Sequence, residues 1–426
     1  MNRKKRTAQI WDQIEIFGEA HNNYHMYCVI SFAGFIDAGK LKRAFGLTFS
    51  VFPILASRYV KRFWSPCWKY DEAAAGEEFF RLVESTDLER EKQSFYADEI
   101  DEHGPVQIKV RVIRSGNCDT LCIAMNHMIC DAAAFKEYLY IVSDIYTKLC
   151  GDDGYVPSLV LDGNRSAVGM YGDFIKAQRG LKKRLRVLFR PQNHSGYSLK
   201  MPLTESGETH ADVVTRTIER QRFEAIKAYG KVRGATVNDI FLAAFFRALT
   251  KFLPEKTGSL EVPCMIDLRR FQQDRPFDAL YNLTSTLVVG MGEDIGDSFD
   301  ETLKKVHDTV SALLADFPAL NGYLYMILMF ALMPYAMLER VIKKAFKSFP
   351  IAYSNLGIID QGRLKFDSLA IRDCFMTGSI KQKPCFWMAV STFGSRLTMS
   401  VNLNGSDEDF ELIKAFLETV DSELPY

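Results

Sequence analysis

The chain alternates strand-like apolar stretches with longer amphipathic stretches typical of helices. Residues 25–34 form a nearly continuous apolar run, whereas residues 37–49 place their apolar side chains on one helical face behind a candidate capping residue, Asp37. Two strand-like runs, 106–114 and 120–127, flank a short polar loop of the kind that joins antiparallel strands. The pattern predicts strands and helices mixed along the first half of the chain.

The second half repeats this mixture after a segment rich in Gly, Asp and Pro. That segment, residues 151–166, is typical of a linker between two lobes. We expect an N-terminal lobe of residues 1–155 and a C-terminal lobe of residues 156–426, with the linker at about 151–170. The pattern lacks the tight βαβ rhythm of an all-parallel sheet, so it predicts an α/β fold of mixed sheets flanked by helices.

Composition and charge narrow the functional classes. The 426 residues carry 53 basic and 53 acidic side chains, so the chain has no net positive charge that would attract nucleic acid. We therefore do not expect nucleic acid as a partner. The nine cysteines show no CxxC spacing and the seven histidines no HExxH, which predicts neither a disulfide framework nor a metal site. No phosphate-binding GxxxxGK[ST] loop occurs in the sequence. The N-terminus does not follow a signal-peptide pattern, so a cytoplasmic location is expected.

Two segments leave alternatives open. Residues 322–338 carry no charge and several methionines, and they are shorter than the roughly 20 residues that a spanning helix needs. A buried or ligand-lining helix is the leading interpretation, and peripheral membrane contact is the alternative. The second segment, 182–190, is either a solvated helix face or a docking site for phosphate or an acidic carrier protein. Its basic residues are Lys182, Lys183, Arg184, Arg186 and Arg190.

The most distinctive candidate chemistry lies where the run 120–127 ends. A histidine at a strand end is suited to act as a general base, because its ordinary pKa lies near neutrality and the strand holds it rigidly. Asp131 follows four residues after His127 and also precedes a helical pattern, where an aspartate caps helices without any catalytic role. From these residues alone, His127 is either a catalytic base or simply a polar residue at the point where the strand ends.

Residues 126–132, NHMICDA, resemble the HHxxxDG motif of a large acyltransferase superfamily. That superfamily includes chloramphenicol acetyltransferase, the condensation domains of nonribosomal peptide synthetases, and alcohol or polyketide-associated acyltransferases. Further stretches resemble it in the expected order, so that the resemblance spans nearly the whole chain. They are residues 34–60, 236–249, 262–270, 281–306, 352–357 and 393–404. The resemblance implies two chloramphenicol-acetyltransferase-like lobes in a V, with an active-site tunnel between them.

The resemblance also implies an activity. Such proteins transfer an acyl group from a thioester, either acyl-CoA or an acyl-phosphopantetheine on a carrier protein, to a small-molecule or lipid-like alcohol or amine. His127 would act as general base, without a covalent intermediate, a bound cofactor or a metal ion. Asp131 would pair with Arg269 of the second lobe and orient the loop, rather than relay a proton.

Four further positions take their expected roles from the resemblance. Ser354, in the stretch AYSNLG, is the candidate donor to the oxyanion, and a strand-end turn is the alternative explanation of that stretch. Asn282, Asn355 and Gly357 are expected along the substrate tunnel. These assignments predict that the second lobe completes a site centred on the first.

Two departures from the motif bear on activity. Asn126 replaces the first histidine, a position that is supporting rather than chemical in these proteins, and Ala132 replaces the final glycine. The extra methyl group of Ala132 would narrow the substrate passage or change which acceptor fits. An enzyme that uses a carrier-bound donor and a catalytically inactive binding protein of the same fold remain as alternatives.

Overall fold

The structure, a computed structural model, describes most of the chain. It covers residues 5–18, 20–76, 78–166, 199–205, 207–253, 259–271, 276–316, 323–345 and 349–426. Within these residues the chain forms two large sheets that pack with helices in separate apolar cores, and one small sheet. The predicted α/β fold with mixed sheets is confirmed. The basic segment 182–190 lies outside the described residues.

The first large sheet has five strands, most of them from the N-terminal half. In spatial order they are β12 (Ile371–Thr377), β2 (His25–Phe32), β7 (Cys118–Asn126), β6 (Ile108–Ser115) and β5 (Phe80–Glu84). Neighbouring strands run antiparallel, except that β5 and β6 are parallel. The hairpin predicted from the strand-like runs on either side of residue 117 is the β6–β7 pair.

Strand β2 is apolar at six of its eight positions because helices pack on both faces of this sheet. Cys28 lies in the core shared with α2 (Ala38–Val51) and α4 (Ala132–Gly151). The next residue, Val29, lies in a second cluster with α3 (Leu88–Ala97). Since successive side chains of a strand point to opposite faces, two covered faces require a continuous apolar run.

The second large sheet has seven strands from the C-terminal half. They are β10 (Thr284–Gly292), β9 (Leu260–Asp267), β11 (Ile351–Ile359), β14 (Phe386–Phe393), β15 (Arg396–Gly405) and β13 (Lys381–Gln382), with β8 (His210–Ile218) paired to β15. Strand β11 is parallel to both of its neighbours. Four helices share the core of this sheet: α5 (Arg220–Val232), α6 (Val237–Phe252), α7 (Phe299–Asp316) and α10 (Asp407–Glu423).

Side-chain caps fix the starts of two helices, and the sequence predicts the first of them, at Asp37. The Asp37 carboxylate accepts a hydrogen bond from the backbone N–H of Lys40 at 2.9 Å, at the start of α2. Thr236 accepts from the backbone N–H of Asp239 at 3.1 Å, and the Asp239 carboxylate accepts in return from the Thr236 backbone. This reciprocal capping box fixes where α6 begins.

The remaining described elements include one small sheet and three α-helices. The small sheet consists of β1 (Lys5–Thr7), β4 (Cys67–Tyr70) and β3 (Ser57–Val60), and α1 (Ile10–Phe17) follows β1. The uncharged segment, interpreted from the sequence as a buried or ligand-lining helix, contributes to two helices, α8 (Tyr323–Leu332) and α9 (Tyr335–Ala345). Pro334 lies between them and lacks the N–H that a continuous helix needs. In the described ranges, no helix is long and apolar enough to cross a membrane.

The chain crosses between the lobes after the second sheet has begun. Strand β12 follows β11 of the second sheet, yet it pairs with β2 in the first sheet. It then returns to the second sheet through β13 and β14. The two lobes are therefore joined by more than the segment around residue 155, and the boundary placed there stays a prediction.

Candidate active site

The turn that carries His127 is held by its buried neighbours. Strand β7 ends at Asn126 and α4 begins at Ala132, so His127 is the first residue of the connecting turn. Asn126 is fully buried; its Nδ2 donates to the side-chain oxygen of Gln107 at 2.7 Å, and its Oδ1 accepts from the backbone N–H of Met128 at 2.9 Å. The second bond forms an Asx turn, which fixes the backbone on both sides of His127.

One nitrogen of the His127 ring is buried, whereas other atoms of the side chain are exposed to solvent. The side chain is 21% exposed, but its Nδ1 atom is buried and has no hydrogen-bond partner among the described residues. The Glu15 Oε1 of α1 lies 4.0 Å from this nitrogen, too far for a hydrogen bond and close enough for electrostatic attraction. The backbone N–H of His127 donates to the carbonyl of Tyr24 at 2.7 Å. The exposed area of the ring therefore lies on atoms other than Nδ1.

Asp131 is both a helix cap and a partner of the second lobe. Its Oδ1 accepts from the backbone N–H of Ala134 at 3.0 Å, and its Oδ2 accepts from Arg269 Nη1 at 2.7 Å. Burial by itself would raise the pKa of Asp131, but the charge of Arg269 and these hydrogen bonds hold that pKa below its usual value. Asp131 is therefore a carboxylate at neutral pH. It forms both the helix cap and the pair with Arg269 that were expected of it.

The second lobe holds the turn through the segment that leads into β10. The Nδ2 of Asn282 donates to the carbonyls of His127 at 2.7 Å and Met128 at 3.2 Å. The backbone N–H of Leu283 donates to Asp131 Oδ2 at 2.6 Å. Asn282 is thus a clamp on the backbone of the turn, a role that its place in the sequence did not indicate.

A buried ion pair ties the same turn to α1. The guanidinium of Arg165 donates two hydrogen bonds of 3.0 Å to the Asp12 carboxylate, and both side chains are almost completely buried. Arg165 also donates to the carbonyls of Leu280 at 2.6 Å and Ile129 at 3.3 Å. One side chain therefore connects the first helix, the turn and the segment before β10.

Lys381 of β13 is a second buried charge close to α1. Its side chain lies with Nζ 3.8 Å from the centroid of the Trp387 ring, and among the described residues it forms no hydrogen bond or ion pair. Burial lowers the pKa of Lys381 to about 8, although the nearby Glu15 charge acts to raise it. Burial and the positive Lys381 both lower the pKa of His21. The Glu15 carboxylate beside His127 thus lies in the field of a buried ammonium group.

A cleft of about 770 Å³ opens beside the Asp131–Arg269 pair. Its lining comes from both lobes and includes Ala133 and Lys136 of α4 together with Arg269. Ala132, at the start of α4, is half-buried and packs against the core of the first lobe. His127 is not among the described residues that line the cleft, so a passage from the cleft to His127 stays a prediction.

The candidate oxyanion segment lies on β11. The Ser354 hydroxyl has no hydrogen bond to a described residue, and none joins Ser354 to His127. The Oδ1 of Asn355 accepts from the backbone N–H of Gly357 at 2.9 Å, and Gly357 has a φ of 79°, a conformation that favours glycine. A β-carbon at Gly357 would lie 3.0 Å from Lys136 Nζ, so the second lobe approaches α4 closely here.

The expected site residues fall into two groups. Contacts around one turn join Asn126, His127, Asp131, Arg269 and Asn282. Ser354, Asn355 and Gly357 lie on β11, which is linked to the first lobe by the hydrogen bond from Lys136 Nζ to the Leu356 carbonyl, at 2.8 Å. Glu15, Arg165 and Lys381 were missed, because each is a single charged residue outside any recognisable spacing.

Comparison with known proteins finds likeness in structure and not in sequence. No family model matches the chain, and no curated protein matches its sequence. The first condensation domain of the CDA synthetase superposes with a TM-score of 0.70 at 14% identity, covering 97% of this chain and 95% of that one. The trichothecene 15-O-acetyltransferase of Fusarium sporotrichioides gives 0.70 at 12% identity, with 99% and 95% covered. Polyketide synthase associated protein 5 of Mycobacterium tuberculosis gives 0.68 at 15%, with 98% and 97% covered.

These superpositions establish the fold. Nearly the full length of this chain matches nearly the full length of each structure, so the whole two-lobed architecture is shared and not one lobe alone. The chain therefore has the chloramphenicol-acetyltransferase-like fold of condensation domains, as its sequence predicts. A fold hosts many activities, so function has to be argued from the site itself.

Proposed function

We propose that the protein is an acyltransferase that moves an acyl group from a thioester, with acyl-CoA as the leading donor, to an alcohol or amine. The observation that carries this proposal is the fixed position of His127 where the two lobes meet. Its backbone is held by Tyr24 from the first lobe and by Asn282 from the second, both at 2.7 Å. The fold shared with condensation domains and an acetyltransferase supports the same reaction class.

The surroundings of His127 favour one ring nitrogen as the base. A neutral imidazole carries its proton on one nitrogen, and the other accepts. The Glu15 carboxylate lies 4.0 Å from Nδ1, so it favours the tautomer with the proton on Nδ1. Nε2 is then free to accept a proton from a substrate.

In the proposed reaction, His127 Nε2 carries one proton from the acceptor to the leaving thiol. As the acceptor oxygen or nitrogen forms a bond to the thioester carbonyl carbon, its proton moves to His127 Nε2. The tetrahedral intermediate collapses, the C–S bond breaks, and the imidazolium returns the proton to the leaving thiolate. The products are an ester or amide and a free thiol, and the imidazole is neutral again.

Two other residues take supporting parts in this proposal. Ser354 is the candidate donor to the oxyanion, since its hydroxyl is not engaged by a described residue. Asp131 orients the turn as an ionised partner of Arg269 and transfers no proton.

A second candidate donor is an acyl group on a separate carrier protein. Likeness to the condensation domain of a synthetase and to a polyketide synthase associated protein favours this version. The chemistry at His127 is the same for both donors, because each presents a thioester. The two versions differ in what must dock on the surface, so they are separated by the choice of donor in one assay.

The test is thiol release from a panel of acyl-CoAs of different length and, in parallel, from acylated acyl carrier proteins, with pooled alcohol and amine acceptors. His127→Ala is compared with His210→Ala, which removes an exposed histidine of β8. Loss of a general base lowers rates by about 100-fold or more, so acceptor-dependent release should disappear in His127→Ala and persist in His210→Ala.

Three other outcomes would redirect the proposal. Equal release in both variants would remove His127 from the chemistry. Thiol release only from acylated carrier proteins would show that the donor is a carrier-bound acyl group and not acyl-CoA. No release from either kind of donor, with acyl-CoA still bound at unchanged affinity by His127→Ala, would leave a binding protein of the same fold.

A further inference from the structure

Helices α8 and α9 present an apolar surface that nothing in the described chain covers. On one side they are anchored: the Phe17 ring of α1 lies 5.8 Å from the ring of Tyr335, and Tyr335 and Leu338 are buried. On the other side Leu328 and Leu332 of α8 are exposed, one turn apart, and Leu332 is 72% exposed. An apolar helix with one open face indicates that something else packs against it.

The loop between β3 and β4 extends this surface with aromatic side chains. Phe63 is 72% exposed and Trp64 59% exposed. The backbone N–H of Tyr335 donates to the Phe63 carbonyl at 2.8 Å, and Lys61 forms a 3.1 Å ion pair with Glu339 of α9. The loop is therefore fixed against the first turns of α9, and its rings add to the exposed face there.

Positive charge surrounds these apolar residues. Residues 61–64 and 335–345 contain five basic side chains and one acidic side chain, although the whole chain has no net charge. Arg62, Arg340 and Lys344 are exposed, and the two on α9 alternate along the helix with exposed Met337 and Val341. Basic residues interleaved with apolar ones are typical of helices that lie in a membrane interface.

We propose that this surface, formed by the 61–64 loop and the outer faces of α8 and α9, docks the protein onto an anionic membrane surface. Three features select this occupant. Exposed Trp and Phe side chains favour the headgroup region, where an aromatic ring is half in water and half in hydrocarbon. Exposed Lys and Arg side chains attract acidic lipids. A second copy of the chain would instead bring two positively charged surfaces together.

The proposal concerns attachment and does not depend on the reaction at His127. It requires contact with one leaflet only, in keeping with two short helices broken at Pro334. Each basic side chain near an anionic bilayer contributes roughly a fivefold gain in partitioning, so two of them matter measurably. Binding should therefore depend on both acidic lipid and ionic strength.

The test is sedimentation of the full chain with vesicles of phosphatidylcholine alone or mixed with phosphatidylserine. We expect at least tenfold stronger binding to the mixed vesicles. Arg340→Glu/Lys344→Glu should abolish this preference, and Phe63→Ser/Trp64→Ser should weaken binding to both. Matched controls replace exposed residues elsewhere: Arg220→Glu/Lys365→Glu for charge and Val232→Ser for apolar area.

Two further measurements keep the result interpretable. Circular dichroism must show that every variant is folded, and Trp64 emission, taken as the difference from Trp64→Phe, should shift to shorter wavelength with mixed vesicles. Absence of vesicle binding by the native protein, or equal binding by surface and control variants, would overturn the proposal. So would a native dimer, measured by light scattering, that the surface variants convert to monomers.

Discussion

Removing one partner of the Asp131–Arg269 ion pair should destabilise the fold by several kcal/mol and should have little effect on proton transfer. Asp131 is 1% exposed and accepts three hydrogen bonds: from Ala134 as a helix cap, from Arg269 as an ion pair, and from Leu283 of the second lobe. Two of the three donors belong to the other lobe. Substitution here therefore tests how strongly the lobes are coupled at the His127 turn.

The contacts set the expected size of the effect. Breaking a buried ion pair by removing one partner costs about 3–5 kcal/mol, because the other charge stays buried. Arg269 keeps Asp267 at 3.1 Å and the Tyr281 carbonyl at 2.9 Å, so the lower end of that range applies. We expect Asp131→Asn to lower the free energy of unfolding by about 3 kcal/mol. Asp131→Ala, which also removes the cap, should lower it by about 4 kcal/mol.

Urea unfolding followed by circular dichroism measures these values. Asp131→Asn/Arg269→Met should be less destabilised than the two single variants combined, because the double variant leaves neither Asp131 nor Arg269 as a buried charge that has lost the other. The pH dependence gives an independent check. The pKa of Asp131 is lowered on folding, so its contribution is complete above the ordinary value of 3.8 and is lost as pH falls through the lower folded value. Asp131→Asn should therefore show weaker acid destabilisation than the native chain.

Thiol release from the same variants separates orientation from proton relay. If Asp131 only orients the turn, folded Asp131→Asn should keep far more activity than His127→Ala. An Asp131→Asn protein that is as stable as the native chain but inactive would refute this reasoning. If the loss of unfolding free energy in the double variant equals the sum of the losses in the two single variants, the proposed coupling between the lobes is refuted.

Three further predictions concern the surroundings of His127. Glu15→Gln should lower the rate of thiol release by about tenfold, because the charge that favours the Nδ1–H tautomer is lost; an unchanged rate would exclude that role. Lys381→Met should raise stability at pH 7 by about 2 kcal/mol, since a folded pKa of about 8 against the ordinary 10.5 reflects a burial penalty that contact with Trp387 offsets in part. The gain should shrink as pH rises from 8 to beyond 10.5, and thermal midpoints at pH 7 and 10 that shift equally would contradict it. Ala132→Gly should raise kcat/KM for bulkier acceptors in the thiol-release assay while destabilising α4 by less than about 1 kcal/mol, and no change in acceptor preference would place Ala132 away from the substrate passage.

Much of the local structure follows from short-range patterns in the sequence. The caps at Asp37 and Thr236 were predictable because a cap is set by residues three positions apart. The strand at residues 118–126 and the helix that Asp131 caps were also predictable, because both patterns depend on residues close together in the sequence. The order of weakly specific stretches along the chain then indicated the fold, which no single stretch could do.

The charged groups around His127 were not predictable in this way. Arg165 and Asp12 are 153 positions apart and meet only because the segment after α4 returns to α1. Lys381 lies on a two-residue strand in which nothing marks it as buried. A lone charged residue in a sequence is usually solvated, so only the packed structure identifies the few that are buried and paired across the chain.

Helix α1 links the two features for which functions are proposed. Glu15 lies 4.0 Å from His127, whereas Phe17 packs against the ring of Tyr335 beneath the proposed membrane surface. Asp12, on the same helix, is bound by Arg165, so the helix is held by a buried ion pair as well as by apolar contacts. Contact of α8 and α9 with a bilayer would therefore act on an element that borders the candidate base directly.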